Sequence, residues 1–331
     1  MRQVLVPRDL APAIPLRPAD ILSLGGETMG TTWSVKVVTS ADVSADALRA
    51  AIVAVLDGVI GEMSTWIAHS DISRFNRAAP GSWIALPKDF ITVLRCALRV
   101  AADSGGAYDP TIGALVALWG FGPHGRPGTI PADAEIAAAR RTCGWQRVTL
   151  DGGRAFRPGG VALDLSSVAK GFAVDKLSAF LAARGLAQHL VEIGGELIGR
   201  GVKPDGQPWW VGLEAPSGRN DRAGGQTVVA LHNLAVATSG DAQRFFAQDG
   251  RCFSHTIDPR TGWPVSDSLA AVTVLHRSCM WADALATALV VLGPDAGFDY
   301  AAAHGLSARF MLRNPQGFAE RMTPAMAAML E

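Results

Sequence analysis

The strongest constraint on the fold is the irregular order in which strand-like and helix-like segments follow one another. Alternating apolar and polar residues at 32–37 predict a strand. Apolar residues spaced as on one helix face predict a helix capped by Ser44, and another that begins near Lys88 and ends at Gly105 and Gly106. We predict further helices at 132–142, 167–183 and up to residue 292, and further strands at 147–150, 161–165, 189–193, 209–214, 226–231 and 269–275. This order favours an α+β fold with mixed sheets over a simple doubly wound sheet.

Composition limits the class of protein and its partners. Apolar residues make up 49% of the 331 residues and charged residues 18%, which indicates an ordered globular protein. Lys and Arg together number 30, as do Asp and Glu, so no global charge favours binding to nucleic acid or to an anionic membrane. We expect a Pro-rich lead at residues 1–24, followed by one domain at 25–331 that could consist of two closely packed subdomains.

The N-terminal residues and the cysteines bear on the compartment. Residues 1–20 contain four prolines and several charges, without the apolar run of a secretory signal, and no apolar stretch approaches the length of a transmembrane helix. Cys96, Cys143, Cys252 and Cys279 show no metal-ligand spacing and do not suggest a disulfide framework. A cytoplasmic location is therefore expected.

Two segments near the C-terminus concentrate the side chains that carry chemistry. Residues 254–264 read S-H-T-I-D-P-R-T-G-W-P and gather an imidazole, a carboxylate, a guanidinium and hydroxyls around a turn. Asp283 and Thr287 lie four residues apart, on one face of a predicted helix. This density of hard oxygen ligands is typical of a site for a cation and a phosphorylated ligand. A lone histidine is usually structural, but Asp258 and Arg260 follow His255 and favour a functional role.

A third segment, D-L-S-S-V-A-K-G at 164–171, leads from a predicted strand into a predicted helix. Unpaired backbone N–H groups at a helix N-terminus attract anions, Ser167 offers a hard oxygen, and Lys170 offers a compact positive charge. The alternative is an ordinary helix cap at Ser166, with Lys170 reaching into solvent.

Five glycine-rich or aromatic motifs remain ambiguous by themselves. Residues 25–32 predict a glycine-rich loop where backbone could approach a ligand and Met29 could supply an apolar contact. Trp66, and the aromatic residues of 107–122, could either fill the core or lie against a flat heterocycle. Residues 192–196 and 238–241 could turn the chain or line a cleft.

Taken in order, these motifs resemble those of the ApbE family of FAD:protein FMN transferases. The resemblance covers nearly the whole chain after residue 24 and rests on eight motifs in the family's order. They are residues 29–32, 63–66 with Asn76, 108–111 with 118–122, 164–171, 193–196, 238–241, 254–264 and 283–287.

The resemblance implies a T-fold-like α+β architecture with a central cleft for FAD and Mg²⁺. FAD would be the substrate, and its FMN half would pass to a Thr or Ser hydroxyl of an acceptor flavoprotein with release of AMP. The implied flavin contacts are Met29, Trp66, Ala107, Tyr108, Asp109, Asp164, Lys170 and Ile257. The implied metal ligands are Ser167, Asp283, Thr287 and the Ala286 carbonyl.

Within this resemblance we assign catalytic roles to Asp283, as a metal ligand, and to His255; either His255 or a nearby carboxylate would accept the proton of the acceptor hydroxyl. Two alternatives remain open: a metal-dependent FAD pyrophosphatase, which would use water as the nucleophile, and a non-enzymatic flavin-binding accessory protein. The family resemblance also leaves open the periplasmic face of the inner membrane as the location, and a monomer or a homodimer as the assembly.

Overall fold

The fold was analysed in a computed structural model. The structure describes residues 3–7, 20–39, 43–123, 128–213, 227–240, 245–248 and 251–330. Asp241 of the predicted 238–241 motif and most of the Pro-rich lead lie outside these residues.

Strands and helices alternate irregularly along the described chain. The strands are β1 (Val4–Leu5), β2 (Asp20–Thr28), β3 (Thr31–Thr39), β4 (Ser82–Ala85), β5 (Thr149–Asp151), β6 (Arg154–Arg157), β7 (His189–Ile193), β8 (Glu196–Arg200), β9 (Trp209–Gly212), β10 (Val228–Leu231), β11 (Leu234–Gly240), β12 (Phe245–Gln248), β13 (Arg251–Ser254), β14 (Leu269–His276), β15 (Ser307–Asn314) and β16 (Gly317–Met322). The helices are α1 (Ala45–Met63), α2 (Asp71–Arg77), α3 (Lys88–Asp103), α4 (Gly113–Leu118), α5 (Asp133–Arg140), α6 (Ser166–Ala182), α7 (Cys279–Leu292), α8 (Ala296–Ala303) and α9 (Pro324–Ala327), with a short 3₁₀ turn at Trp145–Arg147.

An eight-stranded sheet forms the centre of the fold. Its strand order is β16-β15-β14-β11-β8-β7-β3-β2, and every neighbouring pair is antiparallel. Three smaller sheets, β1-β10-β9, β4-β6-β5 and β12-β13, lie outside it, and β1 pairs with β10 in parallel. The predicted α+β class with mixed and antiparallel sheets is confirmed.

Helices α6 and α7 are buried on more than one face. Most residues of α6 are buried, from Val168 through Leu181, and α7 buries alanines and leucines on both sides of Asp283. A helix that is apolar all round lies inside a protein rather than on its surface. Asp283 on α7 is therefore held within the core. In the described part of the chain, none of the helices combines the length and apolar character that crossing a bilayer requires.

Most of the predicted helices are confirmed. Ser44 caps α1 by accepting the Ala47 N–H, and α3 ends before Gly105 and Gly106, which have φ values of 62° and 82°. Glycine favours this left-handed region because it has no Cβ. Helix α7 stops at Gly293, as expected.

Two predictions of local structure are wrong. Residues 161–165 do not form a strand; their one bridge joins Ala162 to Ile112, because no neighbouring strand lies beside them for a ladder. Residues 25–32 are not a loop but the tip of the β2–β3 hairpin, with Met29 at φ 51° and Gly30 at φ 73° in the turn. Two positive φ values give a turn whose twist matches the two strands. Strand β2 begins at Asp20 and continues past residue 24, where the sequence placed the end of the lead.

A buried histidine links the stability of this fold to pH. His189 on β7 is fully buried; its Nδ1–H donates to the Leu186 carbonyl at 2.7 Å, and its Nε2 accepts from the Ser178 hydroxyl at 2.8 Å. Burial lowers the pKa of His189 below 6.5, although the bond to Leu186 acts in the opposite direction. The unfolded chain therefore binds a proton more readily than the folded chain, so stability is lost as pH falls below about 6.5.

We expect the His189→Gln variant to have a flatter dependence of unfolding free energy on pH between pH 7.5 and 5. The wild-type slope contains up to about 1.4 kcal/mol per pH unit from this one group. Urea unfolding at a series of pH values measures both slopes. His69 is exposed, and His69→Gln is the control that should leave the slope unchanged. Equal slopes for wild type and His189→Gln would contradict the assignment.

Candidate active site

Helices α6 and α7 are in close contact at Gly171. The Gly171 N–H donates a hydrogen bond to Oδ2 of Asp283 at 3.0 Å, and Asp283 is only 3% exposed. A Cβ atom at position 171 would lie 2.8 Å from Cβ of Asp283 and would collide with the carbonyl of Cys279. Glycine at this position therefore allows the contact that places the Asp283 carboxylate against α6.

Asp175 fixes α7 against α6 one helical turn further on. Its carboxylate accepts hydrogen bonds from the Ser278 hydroxyl at 2.6 Å and from the backbone N–H groups of Cys279 and Met280 at 2.9 and 3.0 Å. These N–H groups belong to the first turn of α7, where a helix lacks internal acceptors and a negative charge is stabilising. The same two helices are thus joined at two successive turns of α6.

Two buried carboxylates and one ammonium form a charged cluster beside this contact. Lys170 Nζ lies 2.6 Å from Oε2 of Glu196, whose side chain is 3% exposed, whereas that of Lys170 is 31% exposed. Burial and the charge of Asp283 raise the pKa of Glu196, whereas the charge of Lys170 and its hydrogen bond favour the ionised carboxylate. Burial also raises the pKa of Asp283, although Lys170 and the Gly171 N–H favour its charged form.

The charge of Lys170 is stabilised by the same cluster. Burial opposes this charge, but Glu196 and Asp283 outweigh burial and raise the pKa of Lys170. When all three groups are ionised, the cluster carries one excess negative charge. A bound cation would compensate that charge.

The first turn of α6 connects this cluster to Tyr108. The Ser167 hydroxyl donates to the Tyr108 hydroxyl oxygen at 3.1 Å, and the backbone of Ser167 departs from helical geometry at φ −92° and ψ 15°. Tyr108 is 3% exposed, and burial raises its pKa well above the usual value. Ser167 precedes Gly171 by four residues, so its hydroxyl lies one turn of α6 away from the Asp283 contact.

Ser166 is not the helix cap that the alternative interpretation of this segment assumed, because Asp164 bonds to it instead. The residue at the capping position is Leu165, and Oδ1 of Asp164 accepts both the N–H of Ser166 at 2.8 Å and its hydroxyl at 2.6 Å. The serine hydroxyl therefore bonds to Asp164 rather than to the helix. The Asp164 N–H in turn donates to the Pro110 carbonyl at 2.8 Å, which ties the start of α6 to the segment that follows Tyr108.

Ala107 and Asp109 flank Tyr108 in the sequence. Ala107 is fully buried, and Oδ1 of Asp109 accepts the N–H and the hydroxyl of Thr111 at 2.8 and 2.6 Å. Burial raises the pKa of Asp109, and the bonds from Thr111 act in the opposite direction.

Residues 253–263 pack on α4 and α5, the helices that follow Asp109. Ile257 is 4% exposed within an apolar cluster that includes Trp119, whose indole N–H donates to the Gly262 carbonyl at 2.8 Å. His255 is half-buried, and its ring meets that of Phe121 edge-on at 6.3 Å between centroids. A cavity of about 370 Å³ lies between Asp258 and the end of α7, and neither Asp283 nor Lys170 lines it.

The two other predicted flavin contacts lie in turns. Met29 occupies the β2–β3 turn and is partly buried against the main core, whereas Trp66, between α1 and α2, is 65% exposed. The structure thus gives Trp66 an accessible aromatic face.

The predicted metal ligands are compatible with a hard cation. Thr287 follows Asp283 by one turn of α7, and its hydroxyl lies 3.0 Å from that of Ser239; Ala286 between them is fully buried. Among the described residues no three His, Cys, Asp or Glu side chains group as a typical metal site. The predicted set contains one carboxylate and otherwise uses hydroxyl and carbonyl oxygens, the donors that Mg²⁺ accepts. Together with the excess negative charge of the cluster, these donors fit Mg²⁺.

Three residues of this region were not assigned to the site from sequence. Glu196 and Ser239 lie in motifs that were noted as possible cleft linings, and only their partners Lys170 and Thr287 distinguish them from turn residues. No local sequence pattern points to Asp175, because its hydrogen-bond partner Cys279 lies 104 residues further along the chain.

Comparisons with known proteins agree on one family. The sequence model of the ApbE family matches residues 29–310. A FAD:protein FMN transferase of Vibrio cholerae is 38% identical over 92% of this chain and 91% of its own length, and one of Haemophilus influenzae is 36% identical over 94% and 92%. The apo crystal structure of the flavinyl transferase ApbE of Pseudomonas stutzeri superimposes with a TM-score of 0.88 at 39% identity, covering 96% of this chain and 98% of that one.

We expect Gly171→Ala to destabilise the protein by about 1–3 kcal/mol, because the added methyl group forces α6 and α7 apart. Gly61, on the exposed side of α1, has open space around its Cα, and Gly61→Ala should instead stabilise by about 0.5–1 kcal/mol. Urea unfolding of the two variants gives both values. A Gly171→Ala protein as stable as Gly61→Ala would show that the close helix contact is not required.

Proposed function

The chain belongs to the ApbE family, and we propose that it transfers FMN from FAD to a hydroxyl group of an acceptor protein. The observation that carries the proposal is the cluster of Lys170, Glu196 and Asp283 beside Ser167, because it offers both a cation for a diphosphate and oxygen ligands for a metal ion. The relatives named FAD:protein FMN transferase, matched over nine-tenths of this chain, support the same activity.

The acceptor group that we propose is a Thr or Ser hydroxyl. Its oxygen attacks the phosphorus of the FMN half of FAD, a new P–O bond forms, the diphosphate P–O bond breaks, and AMP leaves with the bond's electron pair. The hydroxyl proton must pass to a base. Phosphoryl transfer leaves the protein chiefly the tasks of positioning and charge stabilisation.

Ser167, Asp283, Thr287 and the Ala286 carbonyl would hold Mg²⁺. When bound, this ion would neutralise diphosphate charge and polarise the attacked phosphorus. Asp283 would bring the one full negative charge of the ligand set, and its hydrogen bond from Gly171 fixes the direction of the carboxylate. The hydroxyl of Ser239 restrains that of Thr287.

The remaining predicted residues would bind and orient FAD. Lys170 would meet the diphosphate, since its side chain is about one-third exposed beside the cluster. We propose that the flavin ring and the ribityl chain of FAD lie against Met29, Trp66, Ala107, Tyr108, Asp109, Asp164 and Ile257. The exposed Trp66 would then stack on the ring, and ordering of its side chain would accompany binding.

Incubation of the full chain with FAD, Mg²⁺ and purified candidate acceptor proteins tests this function. We expect mass spectrometry to find one added FMN on a Thr or Ser of an acceptor, and AMP in equal amount. Release of free FMN and AMP without labelled acceptor would instead identify a pyrophosphatase, and tight FAD retention without AMP an accessory flavin-binding protein.

In the same assay Asp283→Asn should lower transfer at limiting Mg²⁺ by about 100-fold or more, because the neutral amide is a poor ligand for Mg²⁺. Asp103→Asn is the matched control, since Asp103 pairs with Arg99 on the exposed face of α3. Transfer at the wild-type rate by Asp283→Asn would contradict the metal-ligand role.

His255→Ala tests the proton acceptor. If His255 takes the hydroxyl proton, we expect the rate to fall by about 10²–10⁴-fold while FAD affinity, measured by flavin fluorescence, stays unchanged. The exposed His69→Ala is the control. An unchanged rate for His255→Ala would remove His255 from the chemistry and leave a carboxylate as the base.

A further inference from the structure

We propose that Glu196 is a positioning residue that holds the Lys170 ammonium at the diphosphate of FAD. The inference rests on the proposed function, which gives Lys170 its ligand. It assigns a role to a buried carboxylate that neither the metal ligands nor the flavin contacts include.

The contact between the two side chains is short, and only the lysine side chain is partly exposed to solvent. Oε2 of Glu196 accepts from Lys170 Nζ at 2.6 Å, and the Glu196 side chain is 3% exposed while that of Lys170 is 31% exposed. The carboxylate thus holds the ammonium from the protein interior. An ammonium has three N–H donors, and the structure commits one of them to Glu196.

Without such a partner, Lys170 would be poorly suited to its task. A lysine side chain has four flexible carbons and loses rotamer entropy when it is fixed. Fixing the side chain before FAD binds removes that cost from binding and from the reaction. Glu196 lies on β8, a strand of the central sheet, so it provides a rigid point of attachment.

The need to hold the turn that precedes β8 does not explain why the Glu196 carboxylate is buried. Glu192 already holds this turn by accepting the Gly195 N–H at 3.0 Å, and it also accepts from the Ser34 hydroxyl at 3.1 Å. Glu196 occupies a core-facing position of β8, together with Ile198. An apolar residue there would stabilise the fold as well or better, since a buried ion pair is weak evidence for stability.

A second lysine of α6 provides an internal control. Lys176 Nζ lies 2.5 Å from Oδ2 of Asp89 on α3, with side chains 29% and 33% exposed, so it forms a similar ion pair on the same helix. Asp89→Asn therefore makes the same chemical change as Glu196→Gln, away from the cluster that contains Asp283.

The experiment compares Glu196→Gln, Lys170→Met and the double variant in the full chain, with Asp89→Asn as control. We expect Glu196→Gln to lower kcat/KM for transfer by about 10-fold, and Asp89→Asn to leave it unchanged. In the Lys170→Met background, Glu196→Gln should cause no further loss, because Glu196 acts only through Lys170. Losses that multiply in the double variant would overturn the proposal.

Ligand binding gives a readout that does not depend on transfer. Glu196→Gln should weaken binding of FAD about 3- to 10-fold and leave binding of riboflavin, which has no phosphate, unchanged. Equal weakening of both ligands, or of neither, would overturn the role of Glu196. If wild type binds FAD but labels no acceptor, the proposed function fails while this comparison still decides the inference.

A second variant covers the case in which Glu196→Gln does not fold. Glu196→Asp keeps the charge but draws the carboxylate back by one methylene group, so it should show the same selective loss for FAD. FAD and riboflavin affinities equal to those of wild type in Glu196→Asp would count against the proposal.

Discussion

The contact between α6 and α7 at Gly171 is the constraint on which the rest of the site depends. Without a side chain at this position the two helices meet closely enough for the Gly171 N–H to bond the Asp283 carboxylate. Asp175 repeats the connection one turn later by capping α7. These contacts fix α7, and with it Asp283 and Thr287, relative to Lys170 on α6.

The same contact explains the electrostatics of the region. Asp283, between two buried helices, and Glu196, at a buried position of β8, lose most of their hydration, and this loss raises the pKa of both groups. Lys170 compensates part of the negative charge and is itself stabilised as a cation by both carboxylates. Burying these charges lowers the stability of the fold when no ligand is bound. A metal cation and a diphosphate would interact favourably with the carboxylates and with Lys170.

Local sequence patterns predicted those elements whose ends are set by local chemistry. Ser44 and Gly105 mark helix ends because a hydroxyl cap and a left-handed glycine act within one turn. The patterns failed where a partner strand decides whether a strand forms. Residues 161–165 are apolar like a strand but make a single bridge and no ladder, whereas β15 and β16 pair with each other where the sequence predicts no strand. The hairpin at Met29 was mistaken for a loop because its glycines obscured the alternation of the strands.

By itself, the sequence determined the kinds of group that are present and the α+β class: hard oxygens at Ser167, Asp283 and Thr287, a lysine at 170, and the motifs of the ApbE family. Only the tertiary structure decided that Glu196 pairs with Lys170, that Ser166 bonds to Asp164 instead of capping α6, and which carboxylates are buried. The reason is physical: propensities and caps act over a few residues, whereas burial and ion pairing depend on which distant segments the folded chain brings into contact.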